Sequence, residues 1–320
     1  MNYKKNDLLV NVAKLYYEYD YSQAMIAKKL GLSRPYISKL IAQARKEGIV
    51  TIQINDPSHT ETPLERELRQ RFALRKVIAV PQSMNKTPLA TVGSACARYL
   101  DSIVSSGDII GVSWGFTLYH CAQNAITRQD LSDVTIVQLC GGITNIERSI
   151  FANEIPKLFA DAYSGVPYIL PLPAILDSTF VKKSVLTDNS IKQVMEYVQK
   201  SNIALMTVGQ AGEDNALVRA GYLSIDHFKK ADGTETVGDI CCHFIHENGE
   251  LYDTELSNRT VSLPLEELKK KDFRIVVAEG DKKVRSICGA LNGGYINVLI
   301  TDEDTALAVI KRLDETKIGI

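Results

Sequence analysis

Apolar positions recur three and four residues apart through the first fifty residues, and two successive stripes stand out. Ile26, Ala27 and Leu30 share one face of a helix that Ser22 can cap, and Gly31 then supplies a residue able to take positive φ. Ser33 can cap a second helix, with Pro35 in its first turn and Ile37, Leu40, Ile41 and Ala44 on its inner side. After Gly48 the run Ile49 to Ile54 alternates as a strand would, which predicts a small wing. The segment from Asp56 to Pro63 is polar and carries two prolines, so it reads as a linker, and Leu64, Leu68 and Phe72 then form a single helical stripe.

From Lys76 onward the pattern changes to short β-branched runs separated by helical segments. Predicted strands are Lys76 to Val80, Asp108 to Val112, Val134 to Leu139, Tyr168 to Leu170, Ile203 to Val208, Ile240 to Ile245, Arg274 to Ala278 and Asn297 to Ile300. Such alternation argues for right-handed βαβ crossovers and a mostly parallel α/β sheet. Asn248-Gly249 between strand-like runs predicts a β-hairpin that decorates it. The chain therefore divides into a helical module over 1–55, a linker and connecting helix over 56–75, and a large α/β domain over 76–320.

The outward face of the second helix carries Arg34, Tyr36, Ser38 and Lys39. A polar and basic row at the start of such a helix suits a major groove, and Ser22, Gln23 and Ser33 join it as candidate DNA contacts. A plain αα-hairpin would share the apolar pattern, so charge has to discriminate. Residues 1 to 55 hold nine Lys and Arg against four Asp and Glu, whereas the whole chain holds 37 against 38. The local excess points to a helix-turn-helix that attracts DNA.

Composition narrows the rest. With 45% hydrophobic and 23% charged residues in 320, the chain can bury a full core beside the small module. It shows no apolar signal segment and no membrane-length run, which predicts a cytoplasmic protein. The six cysteines lack CxxC spacing and sit in apolar segments, as reduced core thiols do.

In an open parallel sheet, ligands sit outside the carboxyl ends of strands, and several loops there are glycine-rich. Gly111-Val-Ser-Trp-Gly-Phe-Thr117 follows a strand and opens a helix, placing Ser113, Trp114, Gly115 and Thr117 where a helix N-terminus can meet a phosphate. Gly141, Gly142 and Thr144 repeat the arrangement after the next strand, and Gln210 lies in a third such loop. Lys283 stands beside a glycine turn, Asp239 suits sugar hydroxyls and Arg259 suits a phosphate, although each of these charges has a purely structural alternative. No nucleophile–base set, metal-ligand spacing or Walker loop occurs, so the chain calls for no cofactor or metal and catalysis has no support.

Taken in order, the helix-turn-helix, Gly111 to Thr117, Gln138-Leu-Cys-Gly-Gly142, Pro171-Leu-Pro173, Val237-Gly-Asp239, Asn258-Arg259 and Asn292 to Asp302 resemble the SorC family of bacterial sugar-responsive transcription regulators. The segment from Asp108 to Asn124 and the pair Tyr16-Tyr17 look most like its deoxyribonucleoside-type members. The resemblance implies a fold similar to sugar-phosphate isomerases and CoA transferases, a phosphorylated sugar as effector, operator DNA as partner and a homotetramer. It further implies a repressor of a sugar or deoxyribonucleoside catabolic operon. The deoxyribonucleoside-type relatives carry an imine-forming lysine just before the Gly-Gly pair, where this chain has Cys140. The effector is therefore bound noncovalently, or it differs from deoxyribose 5-phosphate. A sugar-phosphate isomerase or aldolase with an appended DNA-binding module is the competing expectation.

Overall fold

A computed structural model describes residues 3–50, 60–84, 87–143, 151–228 and 235–318. It separates into two compact units, Met1–Thr60 and Glu61–Ile320.

Among the described residues, the first unit contains three helices, α1 (Tyr3–Tyr17), α2 (Gln23–Leu30) and α3 (Arg34–Lys46). Both predicted caps form: Ser22 accepts from the Met25 N–H and Ser33 from the Tyr36 N–H, while Gly31 ends α2 with φ 66°. Leu9, Val12, Ile26, Ile37, Leu40 and Ala44 close a core of their own. The predicted wing falls largely outside the described residues, and Ile49 and Val50 are not in a strand.

The second unit begins with α4 (Pro63–Arg71), β1 (Lys76–Val80), α5 (Pro88–Ile103), β2 (Ile109–Val112), α6 (Phe116–Gln123), β3 (Thr135–Gln138), α7 (Glu154–Ala162) and β4 (Val166–Tyr168). It continues with α8 (Thr179–Val185), α9 (Asn189–Lys200), β5 (Ile203–Met206), β6 (Val208–Gln210), α10 (Ala216–Arg219), β7 (Gly238–Ile240) and β8 (His243–Ile245). The last elements are α11 (Thr254–Arg259), α12 (Leu265–Leu268), β9 (Phe273–Val277), α13 (Val284–Asn292), β10 (Val298–Asp302) and α14 (Glu303–Ile318).

Among the described residues, seven strands form one sheet in the order β1-β10-β9-β5-β2-β3-β4, and every neighbouring pair runs parallel. Parallel strands need crossover helices, so both faces of this sheet are covered and its strands are apolar on both sides. The alternation is visible residue by residue. Ala204, Met206, Val276 and Leu299 pack on one face with Leu68 of α4, Val194 and Val198 of α9 and Ile287 of α13. Ile203, Leu205, Ile275 and Ile300 pack on the other with Val92, Leu100 and Phe159 from α5 and α7.

A second sheet, β6-β7-β8, is antiparallel and corrects two expectations. The predicted strand Ile203 to Val208 breaks at Thr207, where the chain leaves the parallel sheet and enters the small one. The predicted strand Ile240 to Ile245 is two strands joined at Cys241 and Cys242, whose φ values are 48° and 64°. Positive φ at both central residues is the two-residue turn that matches strand twist. Asn248-Gly249 also turns the chain, with the Gly249 N–H donating to the His246 carbonyl, but it leads only to a single bridge between Ile245 and Leu251.

The connecting helix does not behave as a linker. Glu65 caps α4 by accepting from the Thr62 N–H, and its other oxygen accepts from the Ala79 N–H of β1 at 2.9 Å. With Leu68 fully buried beside it, α4 is part of the α/β unit.

Candidate effector cavity

The carboxyl ends of β2, β3, β5 and β9 open into one cavity of about 390 Å³ within the second unit. Its position follows from the parallel topology, because adjacent strand ends deliver their loops to the same edge of the sheet. After β2 the chain passes through Ser113, Trp114 and Gly115 into α6. Gly115 sits at φ 133° and leaves the start of α6 without a side-chain cap. The free first-turn N–H groups and the positive end of the helix dipole therefore lie at a cavity wall lined by Phe116 and Thr117. Ser113 is held by donation of its N–H to Leu205, and its hydroxyl accepts from the Thr207 N–H, tying β2 to β5.

Another wall is acidic and desolvated. Asp239 is buried, and its carboxylate accepts from the Asn215 side-chain amide at 3.1 Å and from the Cys242 N–H at 3.1 Å. Burial pushes its carboxyl above the usual range, against the pull of Asn215 and of the nearby Lys283 ammonium. Gly209 makes room for this carboxylate, since a Cβ there would lie 1.9 Å from the Asp239 Oδ1. Lys283 Nζ donates to the Val208 carbonyl at 2.7 Å. Burial lowers its ammonium below the usual lysine range, while Asp239 and Glu279 pull it back up. Burial and Asp302 raise the Glu279 carboxyl in turn. The cavity thus combines uncapped helical N–H groups, one lysine, and carboxylates with little solvent around them. Arg219 of α10 adds a second cation to the lining.

A family model described as "Putative sugar-binding domain" matches residues 56–311. Over 321 residues the chain is 37% identical to the deoxyribonucleoside regulator of Bacillus subtilis (strain 168), covering 98% of this chain and 100% of that one. The chain belongs to the SorC family. The sorbitol operon regulator of Klebsiella pneumoniae is 32% identical over 308 residues, covering 95% of this chain and 98% of that one. The crystal structure of that full-length regulator matches with a TM-score of 0.75 at 30% identity, covering 95% of this chain and 98% of the other. These SorC-family relatives are transcriptional regulators and not enzymes, which removes the isomerase or aldolase expectation.

Of the residues singled out from this SorC-family sequence, the fold brings Ser113, Trp114, Gly115, Thr117, Gln210, Asp239 and Lys283 to the cavity. Gly111 lies inside β2, where a Cβ would strike Leu139, and it is not in the cavity lining. Gly141 and Gly142 pack against the Pro173 segment, and Gly141 reaches the site indirectly, by accepting from the Trp114 indole N–H at 3.0 Å. Arg259 does not line the cavity: it pairs with Glu255 at 2.9 Å and donates to the Leu176 carbonyl. Thr144 lies outside the described residues. Sequence reasoning missed Asn215, Arg219 and Thr207. Asn215 had one usable signal, an Asx residue just before a short helix, but nothing local ties it to Asp239.

In the first unit, Arg34, Tyr36, Ser38 and Lys39 are all exposed along α3, and Ser22 and Ser33 are exposed at the two caps. Gln23, the first residue of α2, is half-buried.

Proposed function

We propose that this chain is a transcriptional repressor whose DNA affinity is set by a phosphorylated sugar held noncovalently in the strand-end cavity. The reading rests above all on the juxtaposition of the uncapped α6 start with Lys283, Asp239 and Asn215 in one desolvated pocket. Phosphate favours free helical N–H groups and a buried ammonium, and sugar hydroxyls favour a carboxylate paired with an amide. Cys140 lines the same pocket and cannot form an imine, so covalent capture at that position is excluded. Similarity to a deoxyribonucleoside regulator favours deoxyribose 5-phosphate and a catabolic operon as its target.

On this reading α2 and α3 act as a helix-turn-helix. The exposed row Arg34, Tyr36, Ser38 and Lys39 enters the major groove, and Ser22, Gln23 and Ser33 meet phosphates. Operators are read by a homotetramer, since pairing small modules gains affinity that one lacks. Effector and DNA are coupled through two quaternary arrangements, and a coupling of about 1 to 3 kcal/mol changes operator affinity roughly 5- to 150-fold.

Two measurements test the two halves separately. Alanine at Arg34 and Lys39 should abolish the gel shift of operator DNA while leaving calorimetric binding of sugar phosphate intact. A thermal-shift panel of pentose and hexose phosphates should single out one compound, because a ligand that binds only the native state raises its apparent stability. Stabilisation by unphosphorylated sugars alone would sink the phosphate assignment.

A further inference from the structure

Two surface features of the α/β unit lie outside the effector cavity, and they match each other. The first is α8. The chain entering it is fastened to the end of α11, where Ile175 bridges Thr260 and the Leu176 N–H donates to the Arg259 carbonyl. The Arg259 side chain donates back to the Leu176 carbonyl at 3.2 Å. Ser178 then caps the helix by accepting from the Val181 N–H. Beyond that anchored base every residue of α8 is at least partly exposed, Phe180 by 77% and Val181 by 39%. Lys182 and Lys183 follow, and the helix carries no acidic residue. A helix this short is marginal in water and normally relies on an apolar face packed against something.

The second feature is a cleft of about 490 Å³. Its floor is made by two turns, Asn248-Gly249 and Asn292-Gly293. The turns meet closely, since a Cβ on Gly249 would lie 2.2 Å from the Gly293 nitrogen. They are latched by the Tyr295 hydroxyl, which donates to the Gly249 carbonyl, and by the Asn292 amide, which donates to the Glu247 carbonyl, both at 2.7 Å. Leu251, Pro264 and Leu265 supply apolar walls, and Glu250 and Glu266 stand exposed in the lining. Lys269 pairs with Glu266 at 3.0 Å, so the lining holds two carboxylates against one ammonium. Ser257 of α11 completes it, and α8 packs on α11, which places the two features on adjoining elements.

Knob and cleft are thus opposite in charge, alike in apolar character, and neighbours on one chain. A basic peptide from another protein would fill the cleft and leave the knob bare. A two-fold axis between two copies covers both, because each knob then reaches the other copy's cleft. We propose that α8 docks in this cleft on a second copy of the chain, Phe180 and Val181 against Leu251, Pro264 and Leu265, and Lys182 and Lys183 facing Glu250 and Glu266. The inference deepens the homotetramer reading by naming one of its contact surfaces, and it rests on that reading. Arg259 and the turn from Asn292 to Tyr295, which the effector cavity does not use, hold the knob and the cleft in shape.

Sedimentation velocity of the full chain tests it. The parent should sediment as an oligomer, and Phe180→Asp should bring the mass down to about half, since a buried aromatic anchor carries much of such a contact. Phe180 is largely exposed within one chain, so the substitution leaves the fold intact, as circular dichroism checks. Lys182→Glu/Lys183→Glu and Glu250→Lys/Glu266→Lys should each dissociate alone, because like charges then face each other. An equimolar mixture of the two should reassemble, because every reversed knob meets a reversed cleft and every native knob a native one. Should a charge variant fail to fold, Phe180→Asp decides. A monomeric parent overturns the docking and the homotetramer reading together. An oligomeric parent whose mass Phe180→Asp leaves unchanged overturns the docking alone, and so does a mixture of folded, dissociated charge variants that stays dissociated.

Discussion

At the scale of single residues, the cavity depends on a few close approaches. Gly209 tolerates no side chain, because its Cβ would coincide with the Asp239 carboxylate. Gly209→Ala should therefore displace Asp239 and Asn215 together, and calorimetry should show effector affinity at least about tenfold lower, the loss expected when a buried hydrogen-bonding group is misplaced. Asp239→Asn should reduce affinity with less cost to the fold, because Asn keeps the volume. Outside the cavity, His243 is buried between the Ser257 hydroxyl and the Leu263 carbonyl. Burial and Lys182 lower its pKa from 6.5 to about 4. The unfolded chain thus takes up a proton near 6.5 that the folded chain refuses until about 4. Stability from the neutral ring is complete above that window and is lost as pH falls through it, by on the order of 3 kcal/mol. Urea unfolding at pH 7.5 and 4.5 should show a smaller loss on acidification in His243→Gln than in the parent. An equal loss in both would rule the ring out.

At the scale of elements, much of the architecture was legible. Lys76 to Val80 is a strand over the predicted span, and both helix caps, Ser22 and Ser33, lie where the polar-then-apolar spacing put them. Local periodicity sufficed there because each element buries its own face. The failures share a cause. Ile203 to Val208 is apolar but for Thr207, where the chain changes sheets, and the run around Cys241 and Cys242 hides a turn that contains neither Gly nor Asn. In both places the decision is made by a partner strand distant in sequence, which no local pattern encodes. The cavity was legible in part for the same reason: loops after strands could be named, but Asn215 enters through its tertiary contact with Asp239. Arg259, which the sequence left open as a phosphate contact or a structural charge, pairs with Glu255. Helix α4, read as a connector, buries Leu68 completely, so Leu68→Ala should cost about 2 to 5 kcal/mol in chemical denaturation.

At the scale of the molecule, charge is unevenly shared. The chain is near neutral, with 37 basic and 38 acidic residues, while the exposed side of α3 carries Arg34, Lys39, Arg45 and Lys46. Operator binding should therefore weaken steeply with salt, by at least about tenfold between roughly 50 and 200 mM, through release of condensed counterions. Effector affinity, resting on a desolvated pocket, should change far less over the same range. Filter binding and calorimetry across a salt series would separate the two dependences.

The carboxylate of Glu65 has a practical corollary. A recombinant effector domain cut at the apparent start of the α/β pattern, residue 76, would retain β1 but strip the partner from the Ala79 amide and uncover the surface against which Leu68 packs. Such a fragment should be recovered in poor yield and prone to self-association. Beginning it at Glu61 keeps the Thr62 cap, the Glu65 clasp and the ion pair between Arg71 and Asp314 that fastens α4 to the final helix.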